Sequence, residues 1–127
     1  TETIGFKIIT SEKSVLFIPD IDKWEKWEKW EKEIIKELKQ VDYAFLDATF
    51  FDGDELPNRN MNEIPHPFVV ESMKLFQNLE EVQKKKIYFI HFNHTNPLLN
   101  KDSEQFKQVL QNGFNVAEFG NEILLID

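Results

Sequence analysis

The stretch VDYAFLDATFF, residues 41–51, is an almost continuous apolar run with a carboxylate, Asp47, near its carboxyl end. Runs of this kind, without alternation of apolar and polar residues, are typical of strands buried on both faces of a sheet. Two similar runs, Ser14–Asp20 and Lys86–Phe92, lie before and after it in the chain. We therefore predict that three buried strands form the centre of one sheet.

Helical patterns separate these strands. Asp22 suits a helix N-cap, and tryptophans at three-residue spacing follow it along one stripe, which predicts a single amphipathic helix over Asp22–Gln40. The remaining predicted elements are a strand at Phe6–Thr10, helices at Pro67–Leu79 and at Asp102–Asn112 with Gly113 as its cap, and short strands at Phe114–Phe119 and Glu122–Ile126. Strands alternating with helices, with no linker between them, predict one α/β unit spanning residues 1–127.

The composition limits the classes of partner. With 127 residues, 41% of them hydrophobic, the chain has enough apolar material for one core. A formal net charge of −8 is the wrong sign for a protein whose main partner is a phosphate backbone, so bulk nucleic acid is disfavoured. No run approaches the roughly 18 apolar residues of a membrane helix, so no membrane partner is expected. Because there is no cysteine, any metal must be held by nitrogen and oxygen atoms, and we expect a reducing compartment, the cytoplasm.

Polar side chains follow all three apolar strands. Asp20, Asp47 and His91 stand at their ends, and Asn93, His94, Thr95 and Asn96 form the loop after the last one. In open α/β sheets, ligands bind outside the carboxyl ends of the strands. We therefore expect these side chains to meet at one edge of the sheet and to form a pocket there.

At each of these positions a purely structural role is an alternative to a role in binding. An aspartate after a strand is commonly a turn former, so Asp20 is as well explained by a turn as by metal binding. Asp47 is better placed to hold a loop or to support a ligand than to bind a metal directly. At His91 metal binding is the preferred interpretation, because an imidazole at the end of an apolar strand otherwise needs a buried partner. The polar residues of loop 93–96 can equally satisfy the loop backbone.

A further histidine, His66, lies between two prolines just before the predicted helix that starts at Pro67. The N-terminal dipole of that helix would favour an anionic ligand beside the imidazole. The same residue can instead serve only to make the turn rigid. His66 is therefore a candidate acid or anion contact with a structural alternative.

Taken in order, four segments of the chain resemble the second half of metallo-β-lactamase-fold hydrolases. These segments are residues 15–20, 42–50, 64–67 and 88–97. Within that superfamily the chain is most similar to the pyrroloquinoline-quinone biosynthesis protein B group, which has a comparable Asp-(Gly or Ala)-Thr-Phe strand and Asn-(His or Asn)-Thr-Asn-Pro loop. The succession is also similar to that of the transfer-RNA 3′-processing nucleases. The resemblance implies the C-terminal half of an αββα sandwich, a mixed sheet with helices packed on it.

The resemblance also implies roles for particular residues. Asp20 matches the bridging aspartate of the family, and His91 matches its last metal-binding histidine. His66 falls on the catalytic histidine that contacts the scissile phosphate in the nucleases. The residues that would support the ligands or line the substrate pocket are Asp47, Asn93, His94, Thr95 and Asn96. The implied cofactor is a divalent metal, zinc first, with iron or manganese as alternatives.

Two departures from the family pattern bear on activity. The superfamily's His-x-His-x-Asp-His cluster is absent, and Pro19 stands where many members have glycine. The chain also starts at Thr1 without an initiator methionine, so we expect that the N-terminal half of the fold is missing. The isolated chain is then expected to be inactive and to bind metal weakly, because two protein ligands leave the ion mostly to water.

The leading hypothesis is thus one part of a metal-dependent hydrolase-like protein that acts on a small-molecule or peptide substrate. Its expected partner is the missing N-terminal half, and the isolated chain should self-associate through an uncovered apolar sheet face. Two alternatives remain open. One is a non-catalytic module that binds or carries a small ligand, and the other is a purely structural half-domain.

Overall fold

A five-stranded mixed sheet organises the chain, in a computed structural model that describes residues 5–29 and 33–125. Its strands are β1 (Phe6–Ile9), β2 (Ser14–Ile18), β3 (Tyr43–Asp47), β4 (Ile87–Ile90) and β5 (Asn115–Val116). The strands lie side by side in chain order; β1 and β2 form an antiparallel hairpin, and β2 to β5 are parallel. The predicted α/β class and mixed sheet are confirmed, and so are the three central strands.

Among the described residues, five α-helices connect the strands. They are α1 (Trp24–Lys29), α2 (Ile34–Gln40), α3 (Val69–Leu75), α4 (Glu81–Lys84) and α5 (Glu104–Gln111), with short 3-10 helices at Met61–Glu63 and Pro97–Leu99. The α5 helix is capped at its start by the Ser103 hydroxyl, which accepts from the Phe106 N–H at 3.1 Å. Its end is followed by Gly113 at φ 93°, as predicted. None of these described helices is long and apolar enough to span a membrane.

One face of the sheet forms the main core. Alternate residues of β2, β3 and β4 are buried together with apolar side chains of α1, α2, α3 and α5; the strand members are Leu16, Ile18, Ala44, Leu46, Ile87 and Phe89. Strand register brings these six side chains to the same face, because Leu16 pairs with Ala44 and Ala44 with Ile87. Burying one large apolar side chain stabilises a fold by about 1.5–3 kcal/mol. This packed face fixes the position of the strand ends.

The opposite face of the sheet is only partly covered. Phe17, Phe45 and Tyr88 lie on it, and a cleft of about 270 Å³ remains between them and the C-terminal residues Ile123 and Leu125. In the edge hairpin, Phe6 and Ile8 are 55% and 47% exposed. The structure therefore has one face covered by helices and one apolar face that is partly open.

Three predicted elements are wrong in their extent, and a fourth does not form a strand in its described part. Glu33 has extended backbone angles, φ −114° and ψ 112°, so α1 and α2 are separate helices; residues 30–32, including Trp30, lie outside the described residues. The helix predicted at Pro67–Leu79 is shorter, since the chain turns after α3. The strand predicted at Phe114–Phe119 shortens to β5, and in the strand predicted at Glu122–Ile126 residues 122–125 are not in a strand, while Ile126 lies outside the described residues. Apolar periodicity indicates that an element exists but does not fix where it ends.

Candidate functional site

The carboxyl ends of β2, β3 and β4 bring the predicted site residues to one edge of the sheet. Asp20 lies two residues after β2, Asp47 is the last residue of β3, and His91 directly follows β4. The segment before α3 adds His66. Within the described residues, Asp20, Asp47 and His66 form a group whose possible metal-binding atoms all lie within 4.8 Å of one another. His91 is not a member of that group.

Asp47 is the fully buried anchor of this edge, with 0% exposure. Its Oδ2 accepts hydrogen bonds from the Ile21 N–H at 2.9 Å and from His66 Nδ1 at 2.7 Å. Its Oδ1 accepts from the N–H and the hydroxyl of Thr49, at 2.8 and 2.7 Å. A carboxylate offers about four lone-pair positions, so these four bonds use its acceptor capacity. Asp47 therefore positions its neighbours and has no free position for a metal.

His66 is held by its Nδ1 atom. Because a carboxylate only accepts hydrogen bonds, the 2.7 Å contact with Asp47 places a hydrogen on Nδ1 and leaves Nε2 for a ligand or a proton. The hydrogen bond to Asp47 raises the pKa of His66 above its usual value; burial opposes this rise, and the negative charges of Asp47, Asp20 and Asp22 add to it. Asp20 Oδ1 lies 3.6 Å from the same Nδ1. The imidazole thus carries its proton more readily than a free histidine.

The expected anion site at the start of the following helix is not supported. The first N–H groups of α3, from Val69 and Val70, donate to the carbonyl oxygens of Phe50 and Phe51 at 3.1 Å each. The Phe68 N–H donates to a Glu71 carboxylate oxygen at 2.9 Å. These donors are occupied and cannot bind an anion beside His66. They instead tie α3 to the chain that leaves β3.

His91 and Thr49 form the other half of the edge. His91 is the one non-glycine residue with a positive φ, 67°, in the described part of the chain. Its Nδ1 lies 3.0 Å from the Thr49 hydroxyl oxygen, which is also 3.3 Å from His66 Nδ1. Thr49 was not among the predicted site residues. The order Asp47-Ala48-Thr49 could have indicated this residue, because an aspartate side chain readily accepts a hydrogen bond from the residue two positions later.

The loop after His91 mainly holds the backbone. The Asn93 N–H donates to the Thr49 carbonyl at 2.9 Å, and the buried Asn96 side chain donates to the Ala48 carbonyl at 2.6 Å. Thr95 accepts from the Asn93 amide at 2.6 Å and donates to Glu55. Asn93, Thr95 and Asn96 therefore fasten the loop to the chain after β3. His94 makes no hydrogen bond to any residue that the structure describes.

Glu55 is the second residue that the sequence did not reveal. One of its carboxylate oxygens accepts from Thr95, and the other accepts from the Phe51 N–H at 2.8 Å. These contacts join the long loop after β3 to the loop after β4. No spacing in the sequence points to Glu55, since its two partners are 4 and 40 residues away.

Asp20 is the open carboxylate of the site. Its side chain is 57% exposed, and its one polar contact with a residue that the structure describes is the 3.6 Å approach of Oδ1 to His66 Nδ1. Neither His66 nor His91 has a partner at Nε2 within residues 5–29 and 33–125. An aspartate oxygen and imidazole nitrogens without a thiolate are suitable donors for zinc, iron or manganese. The side chains present at this edge therefore fit a divalent metal.

The strained backbone at His91 gives a stability prediction. A left-handed conformation costs an L residue roughly 1–2 kcal/mol, and glycine avoids that cost. We expect His91→Gly to retain or raise the free energy of unfolding, whereas His94→Gly, at a residue without positive φ, should lower it. In urea unfolding the His91 variant should be the more stable of the two by about 1 kcal/mol. The reverse order would show that the His91 backbone is not strained.

Comparison with known proteins identifies a metallo-β-lactamase-like fold. Residues 1–92 match the family model described as a beta-lactamase superfamily domain. The chain is 27% identical to coenzyme PQQ synthesis protein B of Acinetobacter baumannii (strain SDF) over 120 residues, covering 91% of this chain and 38% of that protein. It is 28% identical to the same protein of Gluconobacter oxydans (strain 621H) over 124 residues, covering 94% and 39%.

A solved structure has the same fold. The crystal structure of Zn(2+)-bound PqqB from Methylobacterium extorquens superposes with a TM-score of 0.69 at 22% identity, covering 91% of this chain and 41% of that one. The resemblance to the pyrroloquinoline-quinone biosynthesis protein B group is thereby confirmed. The chain spans about two-fifths of the length of the relatives it matches.

Proposed function

The chain belongs to the β-lactamase superfamily, and we propose that it supplies part of a divalent metal site in a hydrolase-like protein related to coenzyme PQQ synthesis protein B. One arrangement carries this proposal. The Oδ1 atom of the open Asp20 carboxylate lies 3.6 Å from Nδ1 of His66, and the Nδ1 atoms of His66 and His91 are both engaged at the carboxyl edge of the parallel strands. Metal-binding histidines are commonly oriented through their second ring nitrogen in this way.

The proposed division of roles follows from burial and hydrogen bonding. Asp20 and His91, both exposed to solvent, are the metal ligands. His66 is the acid, because the Asp47 carboxylate favours its protonated form and orients the ring. When bound, a divalent ion would supply Lewis acidity toward the substrate. Asp47 holds His66 and the chain around Thr49, and Asn93, Thr95 and Asn96 keep the loop of His91 in place.

Zinc is the first choice of metal. The donor set is oxygen and nitrogen, and the solved relative with the same fold is described as zinc-bound. Iron and manganese accept the same donors. The proposed substrate is a small molecule or a peptide, since the net charge of −8 disfavours nucleic acid as the main partner.

Paramagnetic mapping with Mn²⁺ tests where the ion binds, even if the chain binds it weakly. We expect the backbone amide signals of Ile21, Thr49 and Phe92 to broaden first during a titration. Signals of Ser14 and Asp42, which lie at the opposite edge of the sheet, should stay sharp and serve as the control. Preferential broadening around Asp42, or broadening spread evenly over the acidic residues, would overturn the proposed site.

As part of the same proposal, the partly open apolar face packs against the second layer of the sandwich. Phe6 and Ile8 are exposed there, and the half-buried rings of Phe17, Phe45 and Tyr88 continue the same surface. Without that layer, two copies of the chain should cover the face for each other. Light scattering should show concentration-dependent association that Ile8→Lys weakens. Leu99→Lys, which removes an exposed apolar residue elsewhere, should not, and a monomer at high concentration would contradict the assignment.

A further inference from the structure

The Thr49 hydroxyl has three close neighbours. Its oxygen lies 2.7 Å from Asp47 Oδ1, 3.0 Å from His91 Nδ1 and 3.3 Å from His66 Nδ1. A hydroxyl group has one hydrogen to donate and two lone pairs to accept with. The neighbour that receives this single hydrogen therefore decides what the other two must do.

The shortest of the three contacts shows which neighbour receives the hydrogen of the Thr49 hydroxyl. A carboxylate oxygen only accepts, and 2.7 Å is the usual length of an O–H···O bond, so Thr49 donates to Asp47. No hydrogen is then left on Thr49 for His91. The 3.0 Å contact is a hydrogen bond only if His91 carries a hydrogen on Nδ1 and donates it. His66 donates its own Nδ1 hydrogen to Asp47, because that contact is shorter than its contact with Thr49.

The backbone keeps Thr49 and His91 in register. The Ala48 N–H donates to the Ile90 carbonyl at 2.7 Å, one residue before His91. The Asn93 N–H donates to the Thr49 carbonyl at 2.9 Å, two residues after it. The hydroxyl and the imidazole are thus held opposite each other by bonds on both sides, in spite of the left-handed backbone at His91.

We infer that Thr49 is a positioning residue that sets the tautomer of His91. With its hydrogen on Nδ1, His91 has its lone pair on Nε2, the nitrogen that has no partner in the described part of the chain. This is the reverse of the tautomer that histidine favours in water, so the protein must impose it. The tautomer itself stands on the geometry alone, whereas its use for holding a metal rests on the proposed function.

Nitrogen NMR of the metal-free chain tests the tautomer. In a chain with ¹⁵N-labelled histidine, at a pH where His91 is neutral, long-range proton–nitrogen spectra distinguish the protonated ring nitrogen from the one with a lone pair. We expect His91 in the Nδ1–H form in the wild type and in Thr49→Ser, which keeps the hydroxyl. Thr49→Val, of nearly the same shape, should return His91 to the Nε2–H form, while His94 should not change in any variant.

Two results would overturn the inference. One is an Nε2–H form of His91 in the wild type, and the other is a Thr49→Val spectrum that equals that of the wild type. If Thr49→Val fails to fold, the wild type and Thr49→Ser still decide the question, because both must show the Nδ1–H form.

Adding zinc separates this inference from the proposed function. Loss of the Thr49 hydroxyl should weaken zinc binding by about 10–100-fold, the usual effect of removing a partner of a metal-binding histidine, and Thr49→Ser should restore it. If His91 has the Nδ1–H form but its Nε2 does not respond to zinc, the tautomer assignment stands and the metal site fails. If zinc binds at His91 while the free chain shows the Nε2–H form, the role of Thr49 fails and the metal site stands.

Discussion

Replacing Asp47 with asparagine is expected to lower the free energy of unfolding by about 3–5 kcal/mol, the usual cost of removing one member of a buried charged network. The side chain is fully buried, and each of its oxygens accepts two hydrogen bonds. An asparagine NH₂ group at either position would face two donors. The variant keeps the shape of the side chain, so the loss measures hydrogen bonding and charge.

Urea unfolding followed by tryptophan fluorescence measures this cost, with Asp42→Asn as the matched control. Asp42 lies at the other end of β3, is exposed and accepts one backbone hydrogen bond, from Ser14 at 2.8 Å. The control should lose no more than about 1 kcal/mol. Equal losses in the two variants would show that the contacts of Asp47 do not hold this edge of the sheet together.

Replacing Asp20 with asparagine is expected to leave the free energy of unfolding nearly unchanged and to weaken zinc binding. Its side chain is 57% exposed and accepts no hydrogen bond from the described residues, so the free energy of unfolding should change by less than about 0.5 kcal/mol. Zinc affinity should fall by more than about 100-fold, beyond the usual effect of removing a residue that only supports a ligand. A charged oxygen ligand is lost, while the shape of the side chain is kept.

Competition with a zinc-binding dye, supported by calorimetry, compares the wild type with Asp20→Asn and with Asp42→Asn. The Asp42 variant should bind zinc like the wild type. If Asp20→Asn leaves zinc affinity unchanged, the ion is bound elsewhere. If that variant changes stability and nothing else, the structural alternative for this edge is favoured.

The central strands were predictable because they carry apolar side chains on both faces, although only one face is packed under helices and the other is partly open. Residues 14–18, 43–47 and 87–90 are short apolar runs, and each forms a strand of the parallel part of the sheet. Helix boundaries were not predictable in the same way. The extended conformation of Glu33 divides a pattern that is periodic on both sides of it, and periodicity does not report a single backbone angle.

Much of the candidate site followed from topology. Asp20, Asp47 and His91 end parallel neighbouring strands, so their approach to one edge could be expected before any contact was known. The order Asp47-Ala48-Thr49 indicated the local contact of Thr49, whereas its contact with His91 and the contact of Glu55 with Thr95 could not be predicted, because those partners are about 40 positions away. The sequence also did not show that the first N–H groups of α3, near His66, are occupied. Their partners are the carbonyl oxygens of Phe50 and Phe51.

The most direct test of the metal site is the ¹⁵N spectrum of the three histidines, His66, His91 and His94, before and after zinc is added. A site built on Asp20 and His91 predicts that the Nε2 signal of His91 moves to the range of a metal-bound nitrogen while His94 stays unchanged. Movement of His94 alone, or no movement of any histidine at saturating zinc, would contradict that site.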